Sequence, residues 1–356
     1  MKFLIITMGP GETSHGVAFA HFLAENSHMV TLGVLHEENL GFLKDVKYEK
    51  KIFQNSKEIE REISSGSFDA VVLCNSKMFK DQKFQRFAPK PRPFCCSIDS
   101  NWLFSQSKDY PWVEWLDKYY VNLPPEVYKL GLKENGGNFS ISEGVRSKIK
   151  VVGTIPSYKP LDDDTRQKIR IKFGLNSSQK LLFSYFGSGI TYRTQFCDKY
   201  AKVTNMINRK YGDKVKIINI GNEYNKSWFI PTDHNISSKH FYQFLASSDL
   251  VFQHQGLGTL EQAISARIPV IANVIKPERN ETVNAHAWEV GPFEKAGLCK
   301  MHYYDDPVRD VVKSVEKLMF DQNTRKEMIS EQIKHYSVGE KKMFENIDAN
   351  LRRRNG

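Results

Sequence analysis

The sequence has little of what would mark a membrane-spanning, disulfide-built or metal-clustered protein. No apolar run approaches the about 20 residues that a bilayer-spanning helix needs. Met1 to Met8 comes nearest to a leader segment. Gly9-Pro10-Gly11-Glu12 ends it without a cleavage pattern, so it reads as a first strand. The five cysteines, Cys74, Cys95, Cys96, Cys197 and Cys299, are odd in number and contain no C-x-x-C pair. That usage argues against a disulfide framework or a zinc ribbon and fits a reducing cytoplasm. Asn138 and Asn280 begin Asn-x-Ser/Thr triplets, which without a secretory signal are chance matches. His21, His28, His36, His234 and His240 stand at no metal-ligand spacing. Asp162-Asp163-Asp164 fits a solvated helix start better than a metal site. Low-complexity segments, an arginine-rich arm and the recognition signatures of nucleic-acid-binding modules are all missing.

What is present suits a soluble α/β chain. At 356 residues it exceeds what one core usually holds, so two domains are expected. Hydrophobic content of 40% and aromatic content of 12% are ordinary for a globular protein. The net charge of +10 favours anionic partners such as nucleotides or an acidic membrane surface. The basic residues are spread along the chain, with Arg352-Arg353-Arg354 a local exception, so nucleic acid is not an expected partner.

Lys2 to Met8 has the pattern of a buried strand, Gly9 to Gly11 that of a loop, and Ser14 to Asn26 that of a helix with Ser14 available as its cap. Met29 to Val34 is the next strand, which makes the opening a βαβ unit and implies a parallel sheet. Helix over Ser56 to Ser64 and strands over Ala70 to Leu73 and Phe94 to Ile98 continue the alternation. Trp102 to Leu123 is rich in aromatics, which fit core or interdomain packing better than an acceptor surface. After the strand Lys148 to Val152, Gly153-Thr154-Ile155-Pro156 turns out into a polar segment, and a domain boundary is placed there. The second half repeats the architecture without repeating the sequence. It has strands at Lys180 to Tyr185 and Val215 to Ile220, and helices at Asp164 to Phe173, Gln195 to Tyr211 and Lys239 to Ser247. Asp306 to Met319 and Thr324 to Leu351 are amphipathic helices that close the chain. The expected domains are 1–155, 156–330 and a terminal helix, 331–356, packing back toward the first domain.

The most informative stretch runs from Ser247 to Asn284. It reads as strand, glycine turn, helix, strand and polar loop. Gly256 and Gly258 let backbone approach a ligand because they carry no Cβ. Thr259 and the free N–H groups of the following helix offer hydrogen bonds and a positive dipole end to an anion, and His254 adds a donor or a charge. That combination suits a diphosphate. Ligands of parallel sheets bind at the carboxyl ends of the strands. The loops Gly9 to His15, Gly187 to Gly189 and Gln253 to Thr259 all follow strands, and all three are expected to face one interdomain cleft.

These residues resemble the GT-B glycosyltransferases, the superfamily of the UDP-glycosyltransferases and of the N-acetylglucosaminyltransferase that makes lipid II. The resemblance is sharpest over Asp249 to Asn284 and also covers Met1 to Val30. His254, Gly256, Gly258, Thr259 and Pro269 match its donor signature in type and spacing. It implies an α/β GT-B fold of two Rossmann-like domains with parallel sheets facing an interdomain cleft, an acceptor domain first and a donor domain second. It also implies a nucleotide-diphosphate sugar, a UDP-sugar, as donor, and metal-independent, inverting transfer to an acceptor hydroxyl with no resident cofactor. By position, His254, Gly256, Gly258, Thr259 and the loop Gly187-Ser188-Gly189 would face the diphosphate. Gln262 would face the ribose, and Asn280, Glu281 and Asn284 the sugar. The chain departs from the signature where a ribose-binding Glu becomes Gln262, with Glu261 one place earlier, and where Asp-Gln becomes Asn280-Glu281. Counting back from Ser27-His28-Met29-Val30 puts Glu12 at the catalytic position, with His15 its rival for the base. Three alternatives stand beside transfer: a nucleotide-sugar hydrolase, an epimerase, and a nucleotide-binding relative without turnover. The charge and the aromatic segment suit a lipid-linked acceptor at the inner face of a membrane; a soluble acceptor in the cytoplasm fits equally.

Overall fold

A computed structural model describes residues 1–7, 10–35, 43, 47–65, 67–74, 92–99, 116–134, 146–155, 159–185, 193–220, 238–254, 256–276 and 285–355. The chain forms two compact units. Met1–Ser157 together with Ser337–Gly356 make the first, and Tyr158–Tyr336 the second.

Among the described residues unit 1 holds seven strands: β1 (Lys2–Thr7), β2 (Met29–Val34), β3 (Glu49–Ile52), β4 (Ala70–Cys74), β5 (Phe94–Asp99), β6 (Lys118–Val121) and β7 (Ile149–Val151). They pair in the order β3-β2-β1-β4-β5-β6-β7, every pair parallel. A parallel sheet is covered on both faces, so its central strands read as unbroken apolar runs rather than alternations. Phe3 to Ile6 and Ala70 to Cys74 are such runs and are fully buried. The described helices are α1 (Pro10–Glu25), α2 (Ser56–Ser64), α3 (Pro125–Glu134) and, from the chain's end, α11 (Gly339–Asn355). Helix α11 belongs to this unit's core through Met343 and Ile347, and the Phe344 ring packs at a tilt against Phe3, Phe22 and His28. Arg354 at its end pairs with Asp117 just before β6, and Asn346 accepts a hydrogen bond from the Tyr120 hydroxyl at 2.8 Å.

Unit 2 holds β8 (Lys180–Tyr185), β9 (Val215–Ile220), β10 (Leu250–His254), β11 (Val270–Val274) and β12 (Lys300–Tyr303), all parallel, in the order β12-β11-β10-β8-β9. Its helices are α4 (Asp163–Lys172), α5 (Arg193–Tyr211), α6 (Ser238–Ser247), α7 (Leu257–Ser265), α8 (Ala285–Lys295), α9 (Val308–Phe320) and α10 (Gln322–His335). Phe196, Tyr200, Val203 and Ile207 of α5 pack with Val311, Val315 and Met319 of α9 over Leu182, Phe252 and Ile271 of the sheet.

Several sequence expectations change. Helix α1 starts at Pro10, not Ser14. Proline suits a first helical turn because its missing N–H would be unpaired there, so Ser14 lies inside the helix rather than at its start. The expected helix Thr324 to Leu351 is two helices, broken at Tyr336-Ser337-Val338. There Thr154 and Val338 form a parallel bridge, with Gly339 N–H donating to Thr154 O at 3.1 Å and Thr154 N–H to Ser337 O at 3.2 Å. A side chain at Gly339 would come within 2.7 Å of the Thr154 and Gly153 carbonyl oxygens. The aromatic segment contains strand β6, whose Tyr119 and Tyr120 are fully buried; Trp102 to Trp115 lie outside the described residues. Asp162 caps α4, its side chain accepting from the Thr165 N–H at 2.8 Å, as a helix-start reading of the aspartate run requires.

Unit 2 is tied together at the start of β10 by one carboxylate. Asp249, almost fully buried, accepts from the Leu181 N–H of β8 at 2.8 Å, from Arg170 at 2.9 Å and from Arg166 at 3.1 Å. Lys180 and Arg325 stand 3.6 and 3.8 Å away. Burial alone would raise its pKa. The Leu181 N–H and the Arg166 and Arg170 guanidiniums outweigh burial and hold the pKa below 3.8. The stability this contributes is therefore fully present above about pH 3.8 and is lost as pH falls through the lower folded value. Asp249→Asn leaves buried arginines without their counter-charge and is expected to cost on the order of 3–5 kcal/mol. The check is urea unfolding at pH 7, with a shallower stability loss in the variant below pH 4.

Candidate functional site

Two groups of residues lie at carboxyl edges of the sheets, one in each unit. In unit 2, β10 is the middle strand and is completely buried until it ends at His254. Gly256 then serves as N-cap of α7 with φ −73° and ψ 128°, and no side chain caps the helix. Gln253 closes the turn by donating to Gly256 O at 3.2 Å. The first turn of α7 carries no acidic residue, and its leading N–H groups have no partner within the helix ladder. His254 is buried, with its ring edge-on to Tyr185 at 5.8 Å. A Cβ at residue 256 would sit 3.1 Å from both Cε1 and Nε2 of His254. A side chain there would crowd the imidazole. Thr259 is 7% exposed and Gln262 5%, whereas Glu261 is fully enclosed.

The strand register adds polar residues that the sequence reading passed over. His254 pairs with Asn273 on β11, and Asn273 with His302 on β12, so three polar side chains cross adjacent strands toward the carboxyl end of the sheet. His302 Nδ1 lies 3.0 Å from Asp306 and its Nε2 2.8 Å from Ser314. Desolvation lowers its pKa despite the Asp306 carboxylate. The one available signal was an asparagine inside the run Val270 to Val274.

In unit 1, α1 packs tightly over the ends of β1 and β4. A Cβ on Gly16 would lie 2.5 Å from Thr7 Cγ2, 3.2 Å from Cys74 Sγ and 3.3 Å from Ile5 Cγ2. The Thr13 hydroxyl donates to the Thr7 hydroxyl at 3.1 Å. This brings His15, 6% exposed, to the sheet edge, where Asn122 follows β6. Asn122 Nδ2 lies 3.4 Å from His15 Nε2 and donates to Ile155 O at 3.1 Å. The Asn122 N–H reaches Asp99 O at 3.4 Å, and Asp99, the last residue of β5, is itself buried. Neither Asp99 nor Asn122 belongs to a motif, and only the strand order brings them to the edge that His15 occupies.

The other expected site residues are less fully placed. Glu12 lies in the first turn of α1, and its side chain is outside the described residues. Gly187, Ser188 and Gly189, and likewise Asn280, Glu281 and Asn284, lie outside them altogether. Among the described residues no group of histidine, cysteine, aspartate or glutamate side chains is arranged to hold a metal, and no helix is long and apolar enough to cross a membrane. Gly16→Ala is expected to force α1 off β1 at a cost of about 1–3 kcal/mol. A lowered thermal midpoint without loss of far-UV helical signal would be the sign of it.

No protein-family profile and no curated protein matches this sequence. Solved structures do resemble the fold. S. aureus MnaA, in a co-structure with UDP, aligns with TM-score 0.68 at 13% identity over 99% of this chain and 97% of its own. Arabidopsis thaliana UGT89C1 complexed with UDP aligns with TM-score 0.63 at 10% identity over 99% of each chain. A Listeria monocytogenes protein assigned as a UDP-N-acetylglucosamine 2-epimerase aligns with TM-score 0.60 at 14% identity over 95% of this chain and 93% of its own. With two α/β units built on parallel sheets of seven and five strands, the chain has the GT-B fold.

Proposed function

We propose that this chain is a glycosyltransferase that moves a sugar from a nucleotide-diphosphate sugar, a UDP-sugar, to an acceptor hydroxyl. The observation that carries the reading is the α7 N-terminus. It is glycine-capped, has no acidic residue in its first turn, stands at the end of the central strand, and has the His254 ring beside Gly256. Backbone N–H groups and a dipole end so placed suit a diphosphate, and they suit it more as a departing group, when its charge grows. The GT-B fold shared with UDP-bound structures supports the same reading.

In the proposed reaction the acceptor oxygen attacks the anomeric carbon, the bond from that carbon to the diphosphate breaks, and the nucleoside diphosphate leaves. The acceptor's proton goes to a base in unit 1, Glu12 or His15. His254, the α7 N–H groups, Gly258, Thr259 and the loop Gly187-Ser188-Gly189 take the developing charge. Gln262 holds the ribose, and Asn280, Glu281 and Asn284 hold the sugar. Donor binding is assigned to unit 2 and acceptor binding to unit 1, with no metal required. The epimerase assigned in Listeria supplies a second reading. An epimerase would convert the nucleotide sugar without releasing nucleotide, and a hydrolase would release it without any acceptor.

Calorimetric titration with UDP, GDP, TDP and CDP tests the donor assignment, and UDP is expected to bind. His254→Ala removes a hydrogen bond to a charged group, about 1.5–3 kcal/mol, and is expected to weaken UDP about 10- to 100-fold. Absence of binding by all four nucleotides would sink the reading. Nucleotide release that depends on an added acceptor selects transfer over hydrolysis and epimerisation.

A further inference from the structure

Among the described residues β12 stands at one end of the unit 2 sheet, with β11 on one side and no strand on the other. An end strand leaves a row of backbone N–H and C=O groups open to another chain. Which groups those are follows from one bond. The Tyr304 N–H, just past β12, donates to Val274 O of β11 at 2.8 Å. Successive residues of a strand alternate in direction. Lys300 and His302 therefore also turn their backbone groups to β11, while Met301 and Tyr303 turn theirs outward.

Both outward N–H groups are taken. Met301 donates to Glu294 Oε1 of α8 at 2.9 Å, and Tyr303 donates to Asp306 Oδ2 at 3.0 Å. The Tyr303 oxygen is taken as well, by the Lys199 ammonium of α5 at 2.7 Å. Each carboxylate is held by a side chain of the strand it covers. Lys300 Nζ lies 2.7 Å from Glu294 Oε1, and His302 Nδ1 lies 3.0 Å from Asp306 Oδ2. Three charged groups from three places in the chain thus meet on a strand of four residues. Hydrogen bonds to an ionised partner are roughly twice as strong as neutral ones, so a passing strand, which offers only neutral amides, competes poorly for these groups. Bulk alone does not shield the strand. Lys300 is exposed, and a recess of about 520 Å³ opens beside it, lined by Glu294, Cys299, Leu318 and Met328 among others.

We propose that Glu294, Asp306 and Lys199 close the β12 edge to strand addition, so that the five-stranded sheet of unit 2 does not extend into a second copy of this chain. What they exclude is an extended segment pairing through the backbone of Met301 and Tyr303. This closure does not depend on which reaction the chain catalyses.

The test compares the full chain with Glu294→Ala/Asp306→Ala by size-exclusion chromatography with light scattering over a range of concentrations. The double variant is expected to associate further than the wild type as concentration rises. Adding Met301→Pro is expected to reverse that gain, because proline removes the outward N–H and is tolerated on an edge strand. A double variant with the wild-type mass at every concentration overturns the inference, and so does association that survives Met301→Pro. Amide hydrogen exchange gives a second reading that holds if the double variant does not fold. In the wild type Met301 and Tyr303 are expected to be protected despite facing outward. In Glu294→Ala, exchange at Met301 is expected to rise about 10- to 100-fold with Tyr304 unchanged. Wild-type exchange at Met301 and Tyr303 as fast as in an unstructured chain overturns the inference, and so does a Met301 rate that Glu294→Ala leaves unchanged.

Discussion

The Asp249 carboxylate is the interaction on which the second unit depends. It stands at the point where α6 ends and β10 begins, and it collects groups from three other places in the chain. Arg166 and Arg170 come from α4, Lys180 and the Leu181 N–H from the start of β8, and Arg325 from α10. The same arginines also bond carbonyl oxygens. Arg166 reaches Ser247 O and Ser248 O, Arg170 reaches Ser247 O, and Arg325 reaches Asp249 O and Leu318 O. Positive charge there meets both the carboxylate and the negative end of the α6 dipole. The excess of cations over carboxylates is thus absorbed by backbone, and the cluster is complete within itself. With one end of β10 fixed in this way, its register against β8 and β11 is set, and the position of His254 at the other end follows from the strand's length.

Both candidate groups rely on the absence of a side chain next to a histidine. Gly256 leaves room for the His254 ring, and Gly16 lets α1 descend until His15 reaches Asn122. A glycine in a helix interior costs about 0.5–1 kcal/mol relative to alanine. At Gly16 that cost is offset by contact with Thr7, Cys74 and Ile5, which no larger residue would allow. Packing density and the placement of polar groups are one constraint here, since the same close approach that fills the core delivers the imidazole to the sheet edge.

The parts of the fold that were legible in the sequence are those with strong local chemistry. Leu250 to His254, the glycines at 256 and 258, and Val270 to Val274 carry apolar runs and turn residues whose meaning does not depend on the rest of the chain. The elements that escaped are short, charged or mixed. Strand β3 is Glu49-Lys50-Lys51-Ile52, an edge strand whose charges discourage further pairing. Strand β12 is four residues, and α8 contains Pro292. The break between α10 and α11 has no local cause strong enough to read, because it is made by Thr154 from another part of the chain. The same holds for His15, whose partner Asn122 is 107 residues away. Type and spacing identified the histidine as a candidate, but they could not say which of its nitrogens is engaged.

Buried charge also bears on the departure at residues 261 and 262. Helix α7 is enclosed along nearly its whole length, and Glu261 is enclosed completely. One step of an α-helix turns the side chain by about 100°, so Glu261 and Gln262 face different surroundings. A carboxylate with no exposure is retained only by polar partners within the unit, and it has no surface to offer a ligand. Gln262, at 5% exposure, keeps a small opening. In the proposed enzyme the ribose hydroxyls therefore meet an amide, which both donates and accepts, in place of a charged acceptor. Hydrogen bonds to a neutral group are roughly half as strong as those to a charged one. Discrimination of the donor then rests less on the ribose and more on the diphosphate at α7 and on the sugar contacts expected of Asn280, Glu281 and Asn284.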